Sequence, residues 1–275
     1  MLDFSDLLKK AGLDPSQVQL VRHQDTRTIA RGTPYHLWLA GDGRFDAYQS
    51  LQGPDCIMKV GITIASFVVT PDGQTLFAGL FSVNARRPAP PGTICPLVGD
   101  ALDLSKHVQY DMLADPRLDA YCGRLVIDWG LGTRAWIQWA GRQPKPLLEL
   151  KRRFHEPSFP GFDSFLIHVS EVPTLYSAWR EVLKSVCGVY LLTCLETGEQ
   201  YVGSAYGEDG FLGRFLTYAA TNHGGNKLLK ARAPKPYQVS ILEVMSPSST
   251  PEEVIQMEAL WKAKLGSRAF GLNGN

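Results

Sequence analysis

Over the first 170 positions, apolar residues fall in short alternating runs separated by polar breaks. Residues 36–40, 45–49, 58–70 and 74–83 read as strands on that pattern. Gly41-Asp42-Gly43 and Pro71-Asp72-Gly73 supply turn chemistry between them. Residues 88–96 hold four prolines, so that stretch is a loop and not a sheet interior. Strand patterns resume at 124–129, 135–140, 146–151 and 164–169, while 104–113 fits either element. Helix is predicted at 4–11, ended by Gly12, with a further helical turn at 14–17. Many short strands and few helices predict a small barrel or sandwich across about residues 25–170.

The pattern changes after that point. Residues 173–186 carry Leu175, Trp179, Val182 and Val186 on one helical face. Two apolar runs follow, 186–195 and 200–205, around the turn Glu196-Thr197-Gly198-Glu199. That arrangement predicts a β-hairpin. If Leu195 pairs with Gln200, Tyr190 and Tyr201 share one face of it. A helix is expected at 211–222, where Arg214 and Tyr218 are one turn apart. Thr250-Pro251-Glu252-Glu253 opens another helix with a capping box and a proline at its first position. Val254, Met257, Trp261 and Leu265 form its apolar stripe, and Glu258 lies inside that stripe. A carboxylate there needs a partner, because an unpaired buried charge is costly. The resulting class is α+β, with a β-rich domain over 1–170, a helical linker over 171–186 and an α/β domain over 187–275.

Composition narrows the picture only in places. A length of 275 residues favours two domains. The net charge of +1 gives no global basic field, but residues 210–242 contain no Asp or Glu. Arg214, Lys227, Lys230, Arg232 and Lys235 all fall in that stretch and form a local basic strip. The plainer reading of such a strip is a solvated helix and loop. Five cysteines without a CxxC pair argue against a disulfide framework and a zinc knuckle, which points to reduced thiols in the cytoplasm. The N-terminus lacks signal-peptide features, and no apolar run approaches the roughly 20 residues of a membrane span.

The chemistry gathers in the last third. The triplets Gly188-Val189-Tyr190 and Tyr201-Val202-Gly203 resemble the two signature triplets of the GIY-YIG nuclease family. The order of features that follows is similar as well: an arginine on the next helix, a tyrosine one turn later, a glutamate on a following helix and an asparagine near the end. Matched residue by residue, these are Arg214, Tyr218, Glu258 and Asn273. The resemblance covers about residues 186–275. It implies hydrolysis of DNA phosphodiester bonds, leaving 5′-phosphate and 3′-hydroxyl ends. Glu258 would hold one Mg²⁺, with Mn²⁺ as substitute; its plainer reading is an acid paired with a nearby Lys or Arg at the core's edge. Arg214 would grip the scissile phosphate through its planar fork, and no acidic residue stands three or four positions away to make a simple salt bridge of it. Tyr190 is the expected general base, with Tyr201 and Tyr218 orienting water or phosphate and able to exchange roles with it. Core packing is the commoner state of any single tyrosine. Gly203 and Gly188 would admit a phosphate or helix closely, and Asn273 would bond backbone or phosphate.

Four of the six tryptophans, Trp38, Trp129, Trp136 and Trp139, lie in the first domain. Trp136 and Trp139 are candidates for stacking on DNA, although core packing is the commoner fate of tryptophan in a β-rich domain. Asp128 with Glu149-Leu150-Lys151 fits a D…ExK metal-site spacing, a short and degenerate pattern. The expectation is therefore a Mg²⁺-dependent endonuclease on double-stranded DNA, serving restriction or phage defence, whose first domain selects the target and could read modified bases. One site cuts one strand, so double-strand cleavage needs a homodimer or successive nicks. The alternatives are a structure-specific repair or recombination nuclease, and a nucleic-acid-binding module without turnover.

Overall fold

The computed structural model describes residues 2–25, 32–99, 104–132, 134–231 and 233–274. It divides into two units, Met1–His155 and Glu156–Asn275, and the chain is a mixture of sheets and helices.

In the first unit, α1 (Phe4–Lys10) starts at Asp3, whose carboxylate accepts from Asp6 N–H in a capping box. It buries Phe4, Leu7 and Leu8. A 3-10 turn, Pro15–Gln17, leads into β1 (Val18–His23). Next come α2 (Pro34–Ala40), α3 (Arg44–Ser50), β2 (Leu51–Gln52), β3 (Thr63–Val69), β4 (Thr75–Pro88) and β5 (Val108–Asp115). Strands β6 (Leu125–Ile127), β7 (Ile137–Trp139) and β8 (Leu147–Leu150) complete the unit. The strand order is β2-β5-β4-β3-β1-β7, with β6 joining β4 to β8. Only the β1–β3 pairing is parallel among those described.

Three sequence expectations differ here. Residues 36–40 and 45–49 are helical, not strands. Pro34 sits at the first position of α2 and His36 Nδ1 accepts from Thr33 N–H at 3.2 Å, so local capping overrides the aromatic, strand-like composition. The strand β1 was not expected at all. It is buried along its whole length, so it lacks the alternation that marks a half-exposed strand. The paired strands follow a branched sheet, and no pairing between β2 and β7 closes it into a barrel among the described residues.

The price of burying β1 is visible at its end. His23 is 3% exposed and its Nε2 has no hydrogen-bond partner. Phe45, Tyr48 and Trp136 ring it at centroid distances of 5.2, 5.7 and 6.4 Å. Burial pushes its pKa down to about 4, against opposing effects from Gln49 and Asp25.

In the second unit, β9 (Leu166–His168), a 3-10 turn (Val169–Thr174) and α4 (Ser177–Lys184) precede β10 (Cys187–Cys194) and β11 (Gln200–Ala205). Then follow α5 (Gly210–Thr221), α6 (Lys227–Lys230), β12 (Tyr237–Met245), α7 (Pro251–Leu265) and α8 (Ser267–Phe270). The antiparallel sheet runs β11-β10-β12-β9. Because β9 pairs with β12, the strand expected to close the first domain belongs to the second unit, as does the helix expected to link the two. The buried core gathers Leu183, Tyr190, Leu192, Tyr201, Phe211, Phe215 and Tyr218 around Phe165 and Val172. No helix among the described residues is long and apolar enough to cross a membrane, and all five cysteines are free thiols.

The titration of His23 is testable. Its folded pKa lies below its unfolded value near 6.5, so the stability linked to it is complete above pH ~6.5 and is lost as pH falls toward 4. The shift corresponds to roughly 3 kcal/mol. Chemical denaturation should show a smaller loss between pH 6.5 and 4 for His23→Phe than for the unaltered protein; equal losses would exclude His23 as the source.

Candidate functional site

The hairpin sets the site. Its register pairs Leu192 with Tyr201 and Tyr190 with Gly203. The expected pairing of Leu195 with Gln200 is therefore wrong by two residues; Gln200 pairs with Thr193. A slip of two preserves the side-chain alternation, so Tyr190 and Tyr201 do share a face. They meet α5 there, and Tyr190 packs edge-on to Phe215 at 5.3 Å. Gly203 is what lets Tyr190 lie flat: a Cβ on Gly203 would stand 2.4 Å from Tyr190 Oη. The bare position is thus filled by the protein's own phenol, not by an approaching phosphate. At Gly188, a Cβ would stand 2.0 Å from the Glu243 carbonyl oxygen, so that glycine serves close packing of β10 on β12.

From this base a directional chain of polar groups forms. Arg214 Nη2 donates to Tyr190 Oη at 3.4 Å, and Tyr190 Oη donates to Tyr218 Oη at 3.1 Å. Arg214 Nη1 donates to the Gly224 carbonyl at 3.5 Å, and its guanidinium lies 5.6 Å from the Tyr218 ring centre. Tyr201 closes the group with its ring 6.3 Å from that of Tyr218. No acidic side chain pairs with Arg214 among the described residues, and its Nε is buried without a partner. Burial opposes the charge of Arg214, but the phenols around it outweigh that and raise its pKa.

The phenols are not equivalent. Tyr190 is fully buried, and burial pushes its pKa up to about 12 against the lowering effect of Arg214. Burial, with the neighbouring Tyr190 and Tyr201, raises Tyr218 as well. Both therefore remain protonated near neutral pH and act as hydrogen-bonding scaffold. Tyr190 is not placed to be the expected general base: its side chain is fully buried, and it keeps its proton and donates it in a hydrogen bond to Tyr218. Tyr201, at 9% exposed, is the most accessible of the three.

Glu258 is held elsewhere. Ser204 Oγ donates to Glu258 Oε2, and Lys262 Nζ approaches Oε1 at 2.7 Å. Ser204 alternates with Gly203 along β11, so Glu258 meets the sheet on the face opposite Tyr190 and Tyr201. Trp261 on the same helix donates to Glu243 Oε2 of β12 at 3.2 Å. The chain thus brings Tyr190, Tyr201, Arg214 and Tyr218 together and leaves Glu258 outside that group. As the side chains stand they do not fit a shared Mg²⁺: both carboxylate oxygens are engaged, one by a buried ammonium, and the guanidinium and phenols lie across the sheet. The plainer reading of Glu258, an acid paired with a nearby Lys or Arg, is the one formed here, and the partner that the sequence reading left unnamed is Lys262, four positions on.

Asn273 has a structural post. Its Oδ1 accepts from Val202 N–H at 2.9 Å and its Nδ2 donates to the Val202 carbonyl at 2.8 Å, capping the open edge of β11. Lys227 and Lys230 are exposed on α6, and Lys235 pairs with Glu196 at 3.3 Å. Arg232 lies outside the described residues. In the first unit Trp136 packs beside His23, and Trp139 is half-buried on β7. Of the D…ExK residues, Lys151 lies 4.0 Å from Glu149 and donates to Gln74 at 3.1 Å, while Asp128 accepts from Gly130 N–H at 2.8 Å. No cluster of three His, Cys, Asp or Glu suited to a metal occurs among the described residues.

Compared with protein-family models, curated proteins and solved structures, the chain matches none.

Two substitutions test this geometry. Gly203→Ala should cost about 1–3 kcal/mol in denaturation, because its methyl collides with Tyr190. Lys262→Met should cost about 1–3 kcal/mol, since it leaves the partly buried Glu258 carboxylate with Ser204 but no counter-charge. Millimolar Mg²⁺ should then restore part of that loss in Lys262→Met and leave the unaltered protein unchanged. Equal stabilisation of both by Mg²⁺ would show that Lys262 does not compete for the carboxylate.

Proposed function

We propose that this chain is a DNA endonuclease of GIY-YIG type, a phosphodiester hydrolase whose second unit cuts and whose first unit selects the target. The observation that carries this reading is Arg214. It is a half-buried guanidinium, oriented by a phenol and a backbone carbonyl, with no carboxylate to neutralise it. Such a fork is suited to a phosphate, and partial burial strengthens the attraction relative to open water. Tyr190, the hairpin phenol that orients it, and Tyr201 stand at the spacing on which the family resemblance rests.

In this reading Arg214 binds the scissile phosphate and stabilises the charge that builds on it. Tyr190 and Tyr218, both neutral, keep the guanidinium aimed. Tyr201 orients the attacking water. The exposed Lys227 and Lys230 hold flanking phosphates and position the strand. The biological setting proposed is restriction or phage defence on double-stranded DNA, with cleavage of both strands by a homodimer or by successive nicks. Reading of modified bases would fall to the first unit. Mg²⁺ dependence, with Mn²⁺ as substitute, comes from the resemblance alone, and no step above is routed through the ion.

A second reading is favoured by one specific observation. Lys262 neutralises Glu258, and two of the three phenols are inaccessible. Those features suit a module that binds DNA without cutting it.

Incubation of supercoiled plasmid with the protein in Mg²⁺ and in Mn²⁺ separates the two. Nicking is expected, and Arg214→Ala should slow it by about 10²–10³-fold. Nicking that persists undiminished in Arg214→Ala overturns the catalytic assignment. Plasmid retention without a nick in either metal establishes the binding module.

A further inference from the structure

A cavity of about 150 Å³ opens beside Tyr218 in the second unit. Tyr218 and Tyr237 line it, and its polar lining residues include His168, Ser170, Asn222 and Lys235. No acidic side chain lines it among the described residues. Its wall is built partly by chain that precedes the family-like segment. The β9 strand pairs His168 with Gln238 of β12 and so brings His168 and Ser170 to the cavity. The backbone N–H of Asn222 donates to Tyr218 O at 2.7 Å as it ends α5, which fixes the residue at the rim.

The nearest acids are already engaged. Glu171 Oε2 accepts from His168 N–H at 3.0 Å, and Glu196 pairs with Lys235 at 3.3 Å. The Lys235–Glu196 pair is solvent-accessible and therefore weak, so it steadies the ammonium without removing it from competition. An ammonium, an imidazole, an amide and a hydroxyl around a small recess match a tetrahedral anion in size and in donors. Tyr218 touches both this recess and the Arg214 guanidinium.

We propose that the recess is a subsite for a DNA backbone phosphate adjoining the one that Arg214 holds, with Lys235 and His168 as positioning residues that set the register of the strand. This rests on the endonuclease reading for its substrate, but the anion site itself is measurable without cleavage.

Two measurements test it. In an NMR titration with inorganic phosphate, the signals of His168, Ser170, Asn222 and Lys235 should shift together and saturate, and should not do so in Lys235→Ala. In DNA binding across a salt series, Lys235→Ala should lower the slope of log K against log salt by about 1, as expected for one lost phosphate contact. KM for plasmid should rise several-fold with kcat nearly unchanged, and Lys235→Arg should restore both. Phosphate shifts that scatter elsewhere, or an unchanged salt slope in a folded Lys235→Ala, overturn the subsite even if plasmid is cut. Saturation of the four signals by phosphate without any nicking would uphold the anion site and overturn the nuclease reading instead.

Discussion

The second unit depends on one steric bargain: the ring of Tyr190 lies across the backbone of Gly203. Any side chain at that position would collide with the phenol. With the space open, Tyr190 reaches over β11 and places its oxygen between Arg214 and Tyr218. A hairpin residue thereby orients a helix residue. The guanidinium of Arg214 needs such help, because neither of its hydrogen bonds is short and its Nε has none. Removing the phenol would leave a long, flexible side chain to find its own position, with the entropy loss that entails on binding.

The same edge is secured from the far end of the chain. Asn273 satisfies both backbone groups of Val202, and Leu272 N–H donates to the Gln200 carbonyl at 2.7 Å. An amide side chain is suited to this because it presents a donor and an acceptor side by side, as a neighbouring strand would. The open edge of β11 is thus covered without an added strand, which also removes a template for pairing with other chains. Tyr201 and Gly203 flank Val202, so the clamp fixes the positions on which the aromatic cluster is built.

Much of this second unit was legible in the sequence, and the reasons are physical. Two apolar runs around the turn at Gly198 marked the hairpin, and a register error of two residues left every side chain on its proper face. The Thr250 capping box marked the start of α7, and it is formed in the structure. The first unit was less readable. Strand β1 is buried on all sides and carries Gln19, Arg22 and His23 inward, so it shows no periodicity. Residues 36–40 and 45–49 have strand-like composition, yet both are helical: Pro34 and the Thr33–His36 contact start α2, and α3 starts after the left-handed Gly43. The unit boundary was missed because β9 is only three residues long and its pairing with β12 is distant in sequence. Such long-range pairing leaves no local signal.

The disposition of Glu258 has a mechanical consequence. Glu258 and the aromatic cluster approach opposite faces of β11, but through adjacent residues: Ser204 bonds the carboxylate, while Gly203 supports Tyr190. Because β11 is the edge strand, it has a strand neighbour on one side only. An edge strand yields more readily than a central one, since fewer ladder bonds resist it. A change in the partner of Glu258, whether loss of Lys262 or arrival of another cation, therefore bears on Ser204 and, one residue along the same backbone, on the ground beneath Tyr190. The two faces share no ligand, but their contacts fall on neighbouring residues of one strand, which Asn273 fastens at Val202 between Tyr201 and Gly203.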